Sequence, residues 1–145
     1  MIVVGADTPR GRAVVERLVE PGREVRAFVS DPAAGAELRE LGVKVALGDV
    51  SDDSHVQGAC MNCFTAVLIT EAALDGRERC FANEARQVLE GWAAAAAASA
   101  VTRVIWVHEG DPPPISVKEV RTVAPDHPQL AAEVAALDNL RFLSQ

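Results

Sequence analysis

Gly5, Thr8 and Gly11 stand at intervals of three directly after the short apolar run Ile2-Val3-Val4. The amphipathic stretch Val14-Val15-Glu16-Arg17-Leu18-Val19 follows. A buried strand, a glycine-bounded turn and a helix in this order make the opening of a dinucleotide-binding βαβ unit. In such a turn the first glycine permits the bend, the second lets a pyrophosphate approach the backbone, and the third lets the helix pack close to the strand. Gly5 and Gly11 fill the first and third roles, whereas Thr8 puts a β-branched side chain where phosphate would sit. Pro9 removes a backbone N–H from the helix start, where N–H groups would hold an anion.

Two readings of this turn stay open. Thr8-Pro9 is a good helix start, with a hydroxyl N-cap followed by proline at the first helical position. The Thr8 oxygen would then bond the N–H of Arg10 or Gly11 and take donors from a phosphate, so that dinucleotide binding is weakened or lost. Alternatively, Arg10 offers a charge-assisted contact to that phosphate.

Further chemistry-bearing residues lie at expected strand ends. Asp31 closes the second apolar segment, where an acid would accept the ribose 2′-hydroxyl of NAD; no arginine stands there for the 2′-phosphate of NADP, so NAD is favoured. Asp31-Pro32 reads equally as the start of the next helix. His108 ends the fifth segment and, with Glu109 or Glu71, is a weak candidate for a general base; a histidine satisfying a strand-end hydrogen bond is the commoner case. His55 reads as a surface residue of a helix and His127 as part of the last helix's start. Cys60 and Cys63 have C-x-x-C spacing, but there is no second pair, so they read as small buried thiols and no metal is expected.

The elements that must position these residues alternate along the chain. Strands are expected at 1–4, 24–29, 43–47, 64–70 and 101–108. Residues 115–123 read as a short strand or a loop, and 139–143 as a sixth strand. Helices are expected between them: one stopped by Glu20-Pro21-Gly22, then 33–41, 54–61, a long one over 78–100, and 129–137. Residues 71–77 read as a polar connection. This pattern implies an α/β, Rossmann-like three-layer sandwich, a parallel sheet in the order 3-2-1-4-5-6 with helices on both faces, forming one domain over 1–145. The alanine run 93–98 lets the long helix lie close to a sheet or, as the sharper reading, pair with a second copy in a homodimer.

Composition narrows the function. A chain of 145 residues with 49% hydrophobic and 24% charged residues is a globular domain able to bury a core. Its net charge of -7 argues against nucleic acid as a partner. No apolar run approaches the roughly 20 residues of a membrane span, and no signal peptide is evident. Three cysteines suit a reducing compartment, so a cytoplasmic location is expected. Tyrosine is absent, which excludes any mechanism that needs a phenolic acid.

Gly5-Ala6-x-x-x-x-Gly11, Val25-Arg26-Ala27-Phe28-Val29, Gly48-Asp49 and Val101-Thr102-Arg103-Val104-Ile105, in this order and spacing, resemble the NmrA-like branch of the atypical short-chain dehydrogenases/reductases. The resemblance covers about residues 1–108 and more loosely the remainder. It implies NAD(P) at the carboxyl edge of the sheet. Gly5, Thr8, Arg10 and Gly11 would then lie along the pyrophosphate, Ser30 and Asp31 at the ribose, Gly48 and Asp49 by the adenine, and Thr70 at the nicotinamide ribose. Thr8 departs from the family's glycine, and Ser30 stands where many NADP-using members carry arginine. The serine, tyrosine and lysine of catalytic short-chain reductases have no counterparts here, and a C-terminal substrate lobe is not expected. The expected function is therefore a non-catalytic or degenerate dinucleotide-binding protein, a sensor or regulatory partner. A small oxidoreductase acting on a quinone or carbonyl is the alternative, and an interaction module that binds no nucleotide the third.

Overall fold

The structure is a computed structural model that describes residues 1–19 and 23–143. The expected helix stop at 20–22 lies outside the described residues. Six strands form one all-parallel sheet in the order β3-β2-β1-β4-β5-β6. They are β1 (Ile2–Val4), β2 (Arg26–Val29), β3 (Lys44–Leu47), β4 (Thr65–Ile69), β5 (Arg103–Val107) and β6 (Glu119–Val123). The helices are α1 (Pro9–Leu18), α2 (Pro32–Glu40), α3 (Asp53–Cys60), the single turn α4 (Glu71–Leu74), α5 (Ala85–Ala98) and α6 (Leu130–Asn139). The order reverses between β1 and β4, which places a crevice at their carboxyl ends, where open α/β sheets take ligands.

The central strands are apolar throughout because helices cover both of their faces. Ile2, Val4, Leu68 and Trp106 point to the side of α3 and α5, and Val3, Val67, Ile69 and Ile105 to the side of α1 and α6. Successive residues of one strand thus serve opposite cores, as a side-chain period of two requires. Among the described residues, no helix is long and apolar enough to cross a membrane.

The carboxyl-terminal third departs from the sequence expectation. The sixth strand is Glu119–Val123, pairing from Arg103↔Glu119 to Val107↔Val123, and residues 139–143 form no strand. The alternation of Leu140-Arg141-Phe142-Leu143 imitates a half-buried strand, yet Phe142 is 70% exposed. The real edge strand alternates charged Glu119 and Arg121 with Val120 and Thr122 and so carries a weak apolar signal.

The long helix also begins later than its composition suggests. It starts at Ala85, where Gln87 Oε1 accepts the N–H groups of Asn83 and Glu84 at 2.8 and 3.2 Å and caps the end. Residues 78–84 are thereby left outside the helix, with a turn at Cys80-Phe81. Trp92, Ala93, Ala95 and Ala96 are buried within the chain's own core, and the Trp92 indole N–H donates to Val50 O at 2.8 Å. Residues 71–74, read as connection, close a helical turn after β4.

Candidate functional site

The crevice begins at the turn between β1 and α1. Gly5 has φ +87, and a Cβ there would stand 2.8 Å from the Ile69 carbonyl oxygen, so only glycine fits. At Gly11 a Cβ would lie 2.1 Å from the Gly5 carbonyl oxygen, which is how closely α1 rests on the turn. Thr8 is the N-cap: its Oγ1 accepts the Gly11 N–H at 3.0 Å and donates to the Gly5 carbonyl at 2.8 Å. The cap takes Gly11, one of the two residues the helix-start reading allowed. A helix start has few free N–H groups; here proline supplies none and the Gly11 N–H is taken. Arg10 Nε donates to the Pro125 carbonyl at 2.8 Å, and its Nη1 lies 3.3 Å from Glu71 Oε2. The guanidinium thus ties the start of α1 to α4 and to the loop after β6.

At the end of β2 the leading actor is Asp7, which the sequence reading did not single out. Its side chain is 2% exposed. One oxygen accepts the N–H groups of Ser30 and Asp31 at 2.9 and 3.2 Å. Arg77 Nη1 donates to both carboxylate oxygens at 2.8 and 2.9 Å and reaches Ser30 Oγ at 3.4 Å, while Nη2 holds Asp75 at 2.6 Å. Burial acts to raise the Asp75 carboxyl, but the bonds from Arg77 outweigh it and hold the group below the usual range. Asp31 caps α2 by accepting the Ala33 N–H at 3.0 Å. Asp7, Asp31, Asp75 and Arg77 line a cleft of about 420 Å³. No local signal marks the Asp7–Arg77 pair, which joins residues 70 apart.

After β3, a Cβ on Gly48 would meet Phe28 Cζ and His55 Nδ1, both at 2.9 Å. Asp49 accepts the Ser51 N–H at 2.8 Å, the Ser51 hydroxyl at 2.5 Å and the Cys80 N–H at 2.7 Å. Partial burial opposes its charge, yet these bonds hold its pKa down at about 2. Ser51 Oγ in turn accepts the Phe81 N–H at 3.0 Å.

On the other side of the switch point, Thr70, Glu71, His108 and Arg10 line a cleft of about 550 Å³. The Thr70 hydroxyl donates its one hydrogen to the Val107 carbonyl at 2.9 Å. It must therefore accept from His108 Nδ1, 2.9 Å away, which leaves Nε2 as the ring nitrogen without a hydrogen bond among the described residues. The partner of His108 is thus Thr70, where the sequence suggested Glu71 or Glu109. Cys60 and Cys63 are buried; burial, then the neighbouring Cys63, push the Cys60 thiol up to about 12. His55 is largely exposed on α3, and His127 Nδ1 accepts the Gln129 N–H at 3.0 Å just ahead of α6.

Sterically, the two glycines serve the turn's own packing: Gly5 lies against Ile69 and Ala72, and Gly11 lets α1 rest on the Gly5 carbonyl. Chemically, the side chains of Asp7, Thr8, Arg10, Asp31 and Asp49 are engaged by the chain itself. A family model described as NAD(P)H-binding matches residues 5–136. Among solved structures, triphenylmethane reductase of Citrobacter sp. is similar over 94% of this chain and 44% of its own, with 20% identity and a TM-score of 0.62. The NADPH-dependent quinone oxidoreductase QOR2 of Escherichia coli, complexed with NADPH, is similar over 73% of this chain and 36% of its own, at 23% identity and a TM-score of 0.59. The reductase ChuY of Escherichia coli O157:H7 is similar over 74% and 50%, at 24% identity and a TM-score of 0.50. The chain therefore spans half or less of the length of these structures, and the likeness is one of fold. No curated protein matches the sequence.

Proposed function

The chain belongs to the NAD(P)H-binding family, and from that premise we propose that it binds a nicotinamide dinucleotide weakly and serves as a dinucleotide sensor or regulatory partner of the NmrA-like type, with no catalytic side-chain set of its own. Gly5, Thr8, Arg10 and Gly11 would hold the pyrophosphate, Ser30 and Asp31 the adenosine ribose, Gly48 and Asp49 the adenine, and Thr70 the nicotinamide ribose. The observation that carries the reading is the double engagement of the Thr8 hydroxyl, to the Gly11 N–H and the Gly5 carbonyl. It withdraws from a phosphate the donor that the helix start would otherwise offer.

The charge around the ribose position supports NAD(H) over NADP(H). Three carboxylates, Asp7, Asp31 and Asp75, face one guanidinium there. A ribose diol can donate to carboxylates, whereas a 2′-phosphate would meet like charge. Calorimetric titration with NAD, NADH, NADP and NADPH in parallel tests both points. We expect NAD or NADH to bind with a Kd of roughly 0.1–1 mM, a net gain of about 4–5 kcal/mol, and the phosphorylated forms to bind more weakly. Micromolar binding of NADPH would overturn the reading.

One observation favours a second reading, a small oxidoreductase. The Thr70 bond orients His108 with Nε2 free, beside a cleft of about 550 Å³. The bound cofactor would supply the hydride, and His108 Nε2 could hold or release a proton for a carbonyl or quinone oxygen. Oxidation of NADH by the purified protein with such an acceptor, lost in His108→Ala, would establish this reading and end the non-catalytic one.

A further inference from the structure

Residues 75–84 lie between the end of α4 and the start of α5. Gly76, at φ +78, turns the chain back after α4, and the segment then crosses the carboxyl ends of β1, β2 and β3. It is fastened at three points. Arg77 clasps Asp7 and Ser30, the Cys80 N–H donates to Asp49, and the Phe81 N–H donates to Ser51 Oγ. Every one of these fasteners is polar. Phe81, the one large apolar side chain of the segment, is 68% exposed and anchors nothing. A segment held mainly by hydrogen bonds, one set of them to the nearly sealed Asp7 carboxylate, and with only the small, half-buried Ala82 packed against the core, has little apolar burial to keep it closed and belongs to the part of a fold that opens first.

We propose that residues 75–84 form a strap across the adenosine half of the crevice, and that a dinucleotide binds by displacing it. The proposal rests on the dinucleotide-binding reading above. The strap engages the groups that an adenosine moiety would need, the end of β2 for the ribose and the Asp49 carboxylate for the base. Strap and adenosine therefore compete for one set of partners. Among the described residues, the half of the crevice at Thr70 and His108 carries no such covering segment, so a ligand can engage it first. On release, Phe81 and the Cys80 thiol move away from β3. Dinucleotide occupancy is thereby converted into a change in an exposed surface, which is what a sensor requires.

Cys80 reports the state of the strap. It is exposed, whereas Cys60 and Cys63 are buried. In the closed state the carboxylates of Asp49 and then Glu78 hold its thiol up at about 11. Release toward an ordinary thiol pKa of about 8.5 raises the thiolate fraction at pH 8 by about two orders of magnitude, partly offset by lower intrinsic nucleophilicity, for a net gain of about tenfold in alkylation rate.

The experiment follows iodoacetamide labelling of Cys80 by mass spectrometry at pH 8, with and without 5 mM NADH (~, chosen above the expected Kd), alongside calorimetric titration of the same samples. It compares the native chain with Arg77→Gln, which loosens the first clasp, and Ser51→Ala, which removes the acceptor of Phe81 and leaves the Asp7 pair intact. We expect NADH to speed labelling of the native chain about tenfold, both variants to label faster without NADH, and both to bind NADH more tightly. If NADH binds and Cys80 labelling is unchanged or slower, the strap stays closed over the ligand; the proposal falls and the binding reading stands. If none of the three proteins binds NADH, the binding reading falls and takes the strap's role with it.

Discussion

Arg77 and Asp7 meet at 2.8 Å across 70 residues of chain, with the carboxylate almost sealed from solvent. The pair joins the first turn of the fold to the segment after α4, and it does so at the end of β2, where Asp7 also satisfies two backbone N–H groups. A buried charge with four donated hydrogen bonds is costly to leave half-satisfied. Asp7→Ala would strand the Ser30 and Asp31 N–H groups and leave Arg77 with Asp75 and the longer contact to Ser30 Oγ. We expect a loss of about 3 kcal/mol in stability, read as a lower urea midpoint with an unchanged slope. A midpoint within error of the native chain would show that the pair contributes nothing in solution.

The cap at Thr8 makes a prediction of opposite sign for binding. Thr8→Gly keeps a tolerable N-cap, at a cost of only about a few tenths of a kcal/mol, and frees the Gly11 N–H. Dinucleotide affinity should rise about tenfold, the worth of one charge-assisted hydrogen bond at ~1.4 kcal/mol. Parallel calorimetry on the variant and the native chain measures this directly. Equal affinities would mean that the phosphate path does not run past Gly11.

Two glycines that look alike in sequence should respond in opposite ways to alanine. At Gly11 the new Cβ would overlap the Gly5 carbonyl oxygen at 2.1 Å, and that neighbour is backbone that cannot swing aside. Gly11→Ala should cost more than ordinary overpacking, about 3 kcal/mol or beyond. At Gly58, inside α3, a Cβ meets nothing within 4 Å. Gly58→Ala should stabilise by about 0.4–1 kcal/mol through helix propensity and a less flexible unfolded chain. Thermal melts of both variants test the contrast.

The sheet order, the bend at Gly5 and the close helix packing at Gly11 were legible because they rest on local signals, apolar runs bounded by glycines at fixed spacing. The Thr8 cap was legible for the same reason, since the accepting hydroxyl and the donating Gly11 N–H lie three residues apart. What escaped was long-range or weakly patterned. Asp7–Arg77 and Asp49–Cys80 are pairings between distant segments with no periodic trace in the sequence. The edge strand Glu119–Val123 was left open between strand and loop because half its residues face solvent, and its place went to Leu140-Arg141-Phe142-Leu143, where alternation does not coincide with burial. The strap was hidden inside an overlong helix, although Glu84 and Gln87 carry the capping pattern that ends it.

The bonds at Asp49 carry a pH signature. Burial alone would raise its pKa, but the donors on Ser51 and Cys80 prevail and set it at about 2, against an unperturbed aspartate near ~3.9. Because the folded value is the lower one, Asp49 contributes stability that is complete above the unfolded pKa and is lost as pH falls through the folded pKa near 2. Between pH ~5 and 8, outside the range in which either state of an aspartate titrates, this clasp should be indifferent to pH. In a ¹H–¹⁵N titration the amides of Ser51 and Cys80, both bonded to this carboxylate, should move together with a midpoint near 2. The Asp49→Asn chain should show neither movement, and its Cys80 thiol should label faster at pH 8 because one of the two carboxylates that raise its pKa is gone. A common midpoint near ~4, the unperturbed value, would mean that Asp49 is not clasped by Cys80 and that the strap is open in the free protein.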